Sequence, residues 1–261
     1  MKYYLIILVF VLGFSSCRNE TSQSIQSAKD YLVVSTGVSA VVPQVINSSK
    51  DLQYLKHLLA HQADSSNTCA TYRYINGDTV NMVGPLFFDI DFHQGCTDND
   101  GVNKAGIVSC ALFSPLSDLN GICEVNFDGF RLDNHFIWGG LTIQCKDDRK
   151  WKVITQDLRF QNGKKSIAIV DTLLFNMVAG DSTPEFGDDE FLFSSNGSMN
   201  FSVNGYSHDL CKKYSCSWLT QGFLELNVED QSKQIVNLGS NDCDNEAVLI
   251  IGGEEYFIEM H

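Results

Sequence analysis

The chain has 261 residues, 18 of them basic and 32 acidic, for a formal charge of −14. An acid excess of that size argues against nucleic acid and against anionic headgroups as partners, and suits a solvated acidic surface or cation binding. With 44% hydrophobic residues, the chain can bury the core of one large all-β domain or two smaller ones.

Met1-Lys2 is a short basic start, Tyr3 to Phe14 is an almost unbroken apolar run, and Ser15-Ser16 precede Cys17. Residues 1–16 therefore read as a secretory signal peptide, too short for a permanent membrane helix. Small residues directly before a cysteine predict a lipoprotein signal, with Cys17 acylated as the first mature residue. Phe14 stands where Leu is usual, so a plain signal peptide with unmodified Cys17 stays open. Each buried acyl methylene contributes ~0.8 kcal/mol, so two or three chains moor a domain firmly. The expected address is the outer membrane, lipid-anchored, on its periplasmic or cell-surface face.

Residues 17–27 are polar, Ser-rich and without period, which predicts a flexible tether. Residues 28–66 form a helical segment. The apolar series from Ala28 to Ile46 exceeds strand length and lacks turn residues, which favours a helix. Ser49 is the expected N-cap of a second helix over Asp51 to Gln62, with Leu52, Leu55, Leu58 and Leu59 on one face.

From residue 67 the pattern changes to short alternating runs divided by turn dipeptides: Asn76-Gly77, Asn120-Gly121, Asp133-Asn134, Asp147-Asp148, Asn162-Gly163, Asn196-Gly197, Asn204-Gly205 and Gly252-Gly253. Asn-Gly between alternating apolar residues marks a hairpin, because a type I′ turn needs positive φ at both centres. The fold class is mainly β: a large antiparallel meander or sandwich-like sheet behind one or two N-terminal helices. Gly180, Pro184 and Gly187 suggest a boundary between a first β module, 67–180, and a second, 181–261, with one continuous domain as the alternative.

An exported chain with eight cysteines besides Cys17 points to disulfides. A strand–turn–cysteine unit occurs twice, from Cys69 to Cys96 and from Cys216 to Cys243, each spanning 27 positions (96 − 69 and 243 − 216). That repeat predicts bridges Cys69–Cys96 and Cys216–Cys243. Strand alternation favours a third, Cys110–Cys123, across one hairpin, and leaves Cys145 and Cys211 unassigned.

Catalytic signatures such as His-Glu-x-x-His, Gly-x-Ser-x-Gly or a complete phosphate loop are lacking, and no cofactor or metal is expected. Gly163-Lys164-Lys165-Ser166 reads as a hairpin turn, and His57 and His61 as solvated helix residues. The acids Asp89, Asp91, Asp98 and Asp100, like Asp242, Asp244 and Glu246, could offer oxygens to calcium but read better as solvated turns. Phe130, Phe136, Trp138, Trp151, Phe160 and Phe175 serve as sheet core or as a glycan platform. Two function classes follow. One is a non-catalytic envelope lipoprotein, structural, adhesive or ligand-binding, with a glycan or another envelope protein as partner. The other is a hydrolase whose carboxylates, among Asp89, Asp91, Glu124 and Asp128, meet only in three dimensions.

The stretches Phe88-Asp89-Ile90-Asp91-Phe92, Gly95-Cys96-Thr97-Asp98 and Lys104-Ala105-Gly106-Ile107, with Cys216-Ser217-Trp218, Leu238-Gly239 and Cys243-Asp244-Asn245-Glu246-Ala247, resemble a family of Bacteroidota cell-envelope lipoproteins with repeated strand–Gly/Asn–Cys–Asp modules. The chain departs from it at His93-Gln94, where the family has a glycine turn, and in carrying Cys110, Cys123, Cys145 and Cys211. The resemblance implies an envelope lipoprotein and no reaction. Asp78-Thr79-Val80, Asp171-Thr172-Leu173 and Asp181-Ser182-Thr183 also fit the short O-glycosylation pattern of such bacteria, Ser182 being the loop candidate.

Overall fold

The computed structural model describes residues 2–61, 70–79, 84–97, 101–179, 190–200, 202–213, 215–229 and 231–260. Side chains are described from Glu20 onward, apart from residues 61 and 179. Cys17 as a side chain, Cys69, Asp98, Asp100 and Ser182 fall outside that description.

Two helices, α1 (Lys2–Ser49) and α2 (Leu52–His61), precede fifteen strands. The first group is β1 (Thr71–Asn76), β2 (Leu86–Asp91), the short β3 (Cys96–Thr97) and β4 (Asn103–Ala105), β5 (Ile107–Leu112) and β6 (Ile122–Leu132). Three long strands follow, β7 (His135–Asp147), β8 (Lys150–Asn162) and β9 (Lys165–Ala179). The remainder are β10 (Glu190–Met199), β11 (Val203–Lys213), β12 (Leu219–Val228), β13 (Gln234–Ser240), β14 (Glu246–Ile251) and β15 (Glu254–Glu259).

All belong to one antiparallel sheet in the order β1-β2-β5-β6 and onward to β15, with the β3–β4 hairpin hung on β6. The fold is therefore mainly β behind N-terminal helices, as expected. β9 and β10 pair with each other, so the strands on either side of residues 180–189 lie in one sheet. Alternation does the sorting. In β6, Cys123, Val125 and Phe127 point inward while Glu124, Asn126 and Asp128 face solvent.

The sheet curls around α1. Residues 38–49 of the helix are buried on every side, the polar Ser39, Gln44, Asn47, Ser48 and Ser49 together with the apolar positions. The part from Glu20 to Ser49 is long and apolar enough to cross a membrane, yet 89% of its most apolar window is buried inside the protein. Bulges supply the curl. Gly129, Gly139 and Asp157, all at positive φ, lie side by side on β6, β7 and β8, where the register shifts. A Cβ on Gly139 would meet the Asp157 carbonyl oxygen at 2.2 Å, so only glycine fits. A second corner is made by Asp209 of β11 and Gly222 of β12, where an added Cβ would lie 2.6 Å from the Asp209 carbonyl.

Four expectations need correcting. Asn196-Gly197 and Asn204-Gly205 are not turns: the pairs Gly197↔Gly205 and Asn196↔Tyr206 place them in mid-strand, and the actual reversal is at Asn200, φ 50°. Their glycines are needed for space. A Cβ on Gly205 would meet the Tyr31 ring at 2.1 Å, and one on Gly197 the Asp171 carboxyl carbon at 2.5 Å. Residues 20–27 continue α1 rather than forming a loose tether: the polar residues have partners on the sheet, Ser24 donating to Gln231 Oε1 at 2.8 Å and accepting from Gln234 Nε2. Asp51, not Ser49, caps α2, since its Oδ1 accepts from Gln53 N at 2.7 Å and Tyr54 N at 3.2 Å. Ser49 instead ends α1, its carbonyl accepting from Leu116 N at 3.0 Å.

The fourth concerns cysteines. Cys216 and Cys243 form a disulfide at the expected separation of 27. Cys96 is also disulfide-bonded. Cys110 and Cys123, however, are free thiols, as are Cys145 and Cys211. Register gives the reason: Cys110 faces Val125 and Cys123 faces Leu112, so the two are diagonal neighbours. Diagonal Cα atoms lie about 7–8 Å apart, beyond the usual disulfide span.

Candidate functional site

Two concavities gather side chains from distant parts of the chain. The first is a groove of about 560 Å³ on the outer face of the sheet. Its floor is the Gly139–Gly140 segment of β7, where the bulge corner dents the sheet. Alternation raises a polar row around that floor: Asp89 of β2, Ser109 of β5, Glu124 and Asn126 of β6, Gln156 of β8. Phe87 and Ile75, both exposed, form an apolar wall. Next to the floor Trp138 is 41% exposed and packs over Gly129, 3.1 Å from where a Cβ would sit.

Hydrogen bonds stiffen this row. Gln156 Nε2 donates to Thr142 Oγ1 at 2.7 Å, and Ser109 Oγ donates to Asp89 Oδ1 at 2.9 Å. Arg73 pairs with the other Asp89 oxygen at 3.1 Å. Of the four acids named for hydrolysis, Asp89 and Glu124 thus share one groove, while Asp91 pairs with Arg73 and His93 at its end. Strand spacing sets the Asp89 and Glu124 backbones about 12 Å apart, and Glu124 and Asp128 about 13 Å along one strand. Asp89 is already engaged by a guanidinium and a hydroxyl, so it serves as a fixed acceptor.

The second concavity, about 610 Å³, lies along the seam where the curled sheet exposes one side of α1. The β6–β7 turn and the start of β4 form one bank, and the start of β12 with Met260 the other. Sequence reading missed this site, whose residues lie up to 228 positions apart (260 − 32, Leu32 to Met260).

The aromatics divide cleanly. Phe130, Trp151, Phe160 and Phe175 are core, whereas Phe136 and Trp138 stand on the outer face. The Gly163 segment is a tight turn between β8 and β9, with Gly163 at φ 58°. His57 is exposed on α2, Thr172 lies in mid-strand on β9, and among the described residues no three His, Cys, Asp or Glu side chains come together as a metal site. The four free thiols among the described residues are buried. Burial, then a hydrogen bond to Cys123, pushes Cys110 well above its usual range, and burial pushes Cys211 up to about 11.

Beneath the sheet centre lies a closed polar network that sequence reading also missed. Tyr31 donates to Asp171 Oδ2 at 3.1 Å and touches Ser195 Oγ at 3.4 Å, while Ser195 and Ser207 bond at 2.8 Å. Asp171 Oδ1 accepts from Asn196 N at 3.0 Å. Burial raises the Asp171 carboxyl to about 7. Neither groove includes these residues, and their role is to fix helix to sheet.

No family model matches the chain, and no curated protein or solved structure matches it either.

Proposed function

We propose that the protein is a non-catalytic, lipid-anchored module of the cell envelope that binds a polyhydroxylated ligand, a glycan segment, in its outer groove. The observation that carries this is the make-up of that groove: amide, hydroxyl and carboxylate groups from four strands around the glycine floor of a fifth, with exposed Trp138 and Phe87 beside it. Sugar hydroxyls need both donors and acceptors held in place, and pyranose faces pack on aromatic rings. Asn126 and Gln156 supply amide donors, and Asp89 and Glu124 supply acceptors.

The anchor fits the same reading. Cys17 lies seven positions before Ser24, the first buried side chain of α1 among the described ones. Seven helical residues span about 10 Å, so acylation at Cys17 would hold the end of the sheet near Gln231 close to the membrane. Mass spectrometry of the protein from membranes tests the anchor; an intact leader with unmodified Cys17 contradicts it. Binding of the full chain to a panel of envelope polysaccharides tests the groove. Asn126→Ala with Gln156→Ala should reduce retention about tenfold. Retention of no polysaccharide, or retention unchanged by both substitutions, contradicts the glycan reading.

A further inference from the structure

The seam cavity differs chemically from the outer groove. Its floor is the helix face of Val33, Gly37 and Ala40, small enough to leave room, and Phe160 and Trp218 stand on opposite walls. A Cβ on Gly37 would meet the Phe160 ring at 2.4 Å, so glycine sets how closely helix and wall approach. Polar groups concentrate at the rim, in Arg131, His135 and Asn103.

Two of the buried polar atoms here have no hydrogen-bond partner: Thr36 Oγ1 and Arg131 Nε. Native proteins leave few such atoms unpaired, so each calls for an explanation. The Arg131 guanidinium reaches Asn103 Oδ1 from Nη2 at 3.5 Å, a marginal distance. Asp133 also stands at the rim, but its Oδ1 accepts from Asn103 N at 3.0 Å. Burial holds His135 below its usual range, leaving it neutral at pH 7. The rim therefore offers a guanidinium donor at the mouth of an apolar slot. Other unpaired buried atoms, on Gln44, Ser49 and Tyr72, line neither concavity.

We propose that the seam is a binding site for a single acyl chain with an anionic head, the chain lying along α1 between Phe160 and Trp218 and the head accepting from Arg131. A volume of about 610 Å³ is within the range of ligand cavities, and an apolar lining favours each methylene buried there. The overall acidity does not oppose this, because a half-buried guanidinium acts locally and distant exposed carboxylates are screened. The head can be a carboxylate or a phosphate monoester, as both accept two parallel N–H bonds.

Membranes containing the full chain would be labelled with a diazirine-bearing palmitate and digested for mass spectrometry. Adducts should fall on the peptides holding Val33 to Ala40 and Trp218, and excess palmitate or lysophosphatidate, but not hexadecanol, should compete them away. The better competitor of the two names the head. Arg131→Gln should cut labelling at these peptides about tenfold, and Arg131→Lys should restore most of it, which separates lost charge from lost fold. Adducts confined to other peptides, equal competition by hexadecanol, undiminished labelling in Arg131→Gln, or failure of Arg131→Lys to restore it would each overturn the proposal.

Discussion

Helix α1 meets polar groups on two sides, and they are handled in opposite ways. On one side Tyr31 fits a dent left by Gly205, Gly197 makes room for Asp171, and the Tyr31 hydroxyl joins Asp171, Ser195 and Ser207 in a network whose members all have partners. On the other, Thr36 Oγ1 and Arg131 Nε are buried beside the seam with none. Five positions along one helix thus separate a closed polar latch from an open polar mouth (36 − 31). A fully bonded buried network fixes the rotation and height of a helix against its sheet, whereas an unpaired one costs stability and leaves capacity for something else to bind. The contrast teaches which buried polarity is architectural and which is available.

The largest effect should come from breaking the latch. Tyr31→Ala empties the dent and strips Asp171 and Ser195 of a partner, so it should lower stability by about 4 kcal/mol in urea unfolding. A loss below about 1 kcal/mol would show the ring to be incidental.

Second is the pH dependence of the same network. The folded Asp171 carboxyl, at about 7, lies above its ordinary value of 3.8. A raised folded value means a stabilising contribution complete below the unfolded value and lost as pH rises through the folded one. Three units correspond to about 4 kcal/mol at most, so the protein should be several kcal/mol less stable at pH 8 than at pH 4 through this group. Asp171→Asn should flatten that slope. An unchanged slope would place the titration elsewhere.

The Cys216–Cys243 bridge comes next. Closing a loop of this length constrains the unfolded chain by about 3–4 kcal/mol in the entropic account, so replacing both cysteines by Ala should cost about that in melting experiments. Smallest, and opposite in sign, is the seam. Thr36→Val removes an unpaired hydroxyl at nearly constant volume and should stabilise the protein by about 1 kcal/mol, the reverse of any latch mutation. Destabilisation by Thr36→Val would mean that the hydroxyl has a structural partner.

Much of the fold was legible from local pattern. The apolar series from Ala28 to Ile46, the alternation of Val125-Asn126-Phe127 and the equal cysteine spacing each point to what is found. Where local reading failed, a non-local contact had set the residue choice. Gly197 and Gly205 look like hairpin signals, yet they are glycines because Tyr31, more than 160 positions away, and Asp171 occupy the space a Cβ would take. Ser24 looks like linker composition until Gln231 and Gln234 are brought beside it. Half of the outer groove was visible as strand acids, Asp89 and Glu124, but its floor depends on bulges aligned across β6, β7 and β8. Arg131 and Thr36 carry no motif, and nothing in the Cys216-Ser217-Trp218 stretch points to a cavity. Only the curl of the sheet brings them together.

The account rests on α1 being the core around which the sheet closes. Native-state hydrogen exchange of the α1 amides from Ala28 to Ser48 tests this most directly. If the helix is enclosed and latched, those amides exchange only through global unfolding, as slowly as the centre of β8 and β9. Exchange of the helix amides far faster than those strands, with the sheet still protected, would contradict it.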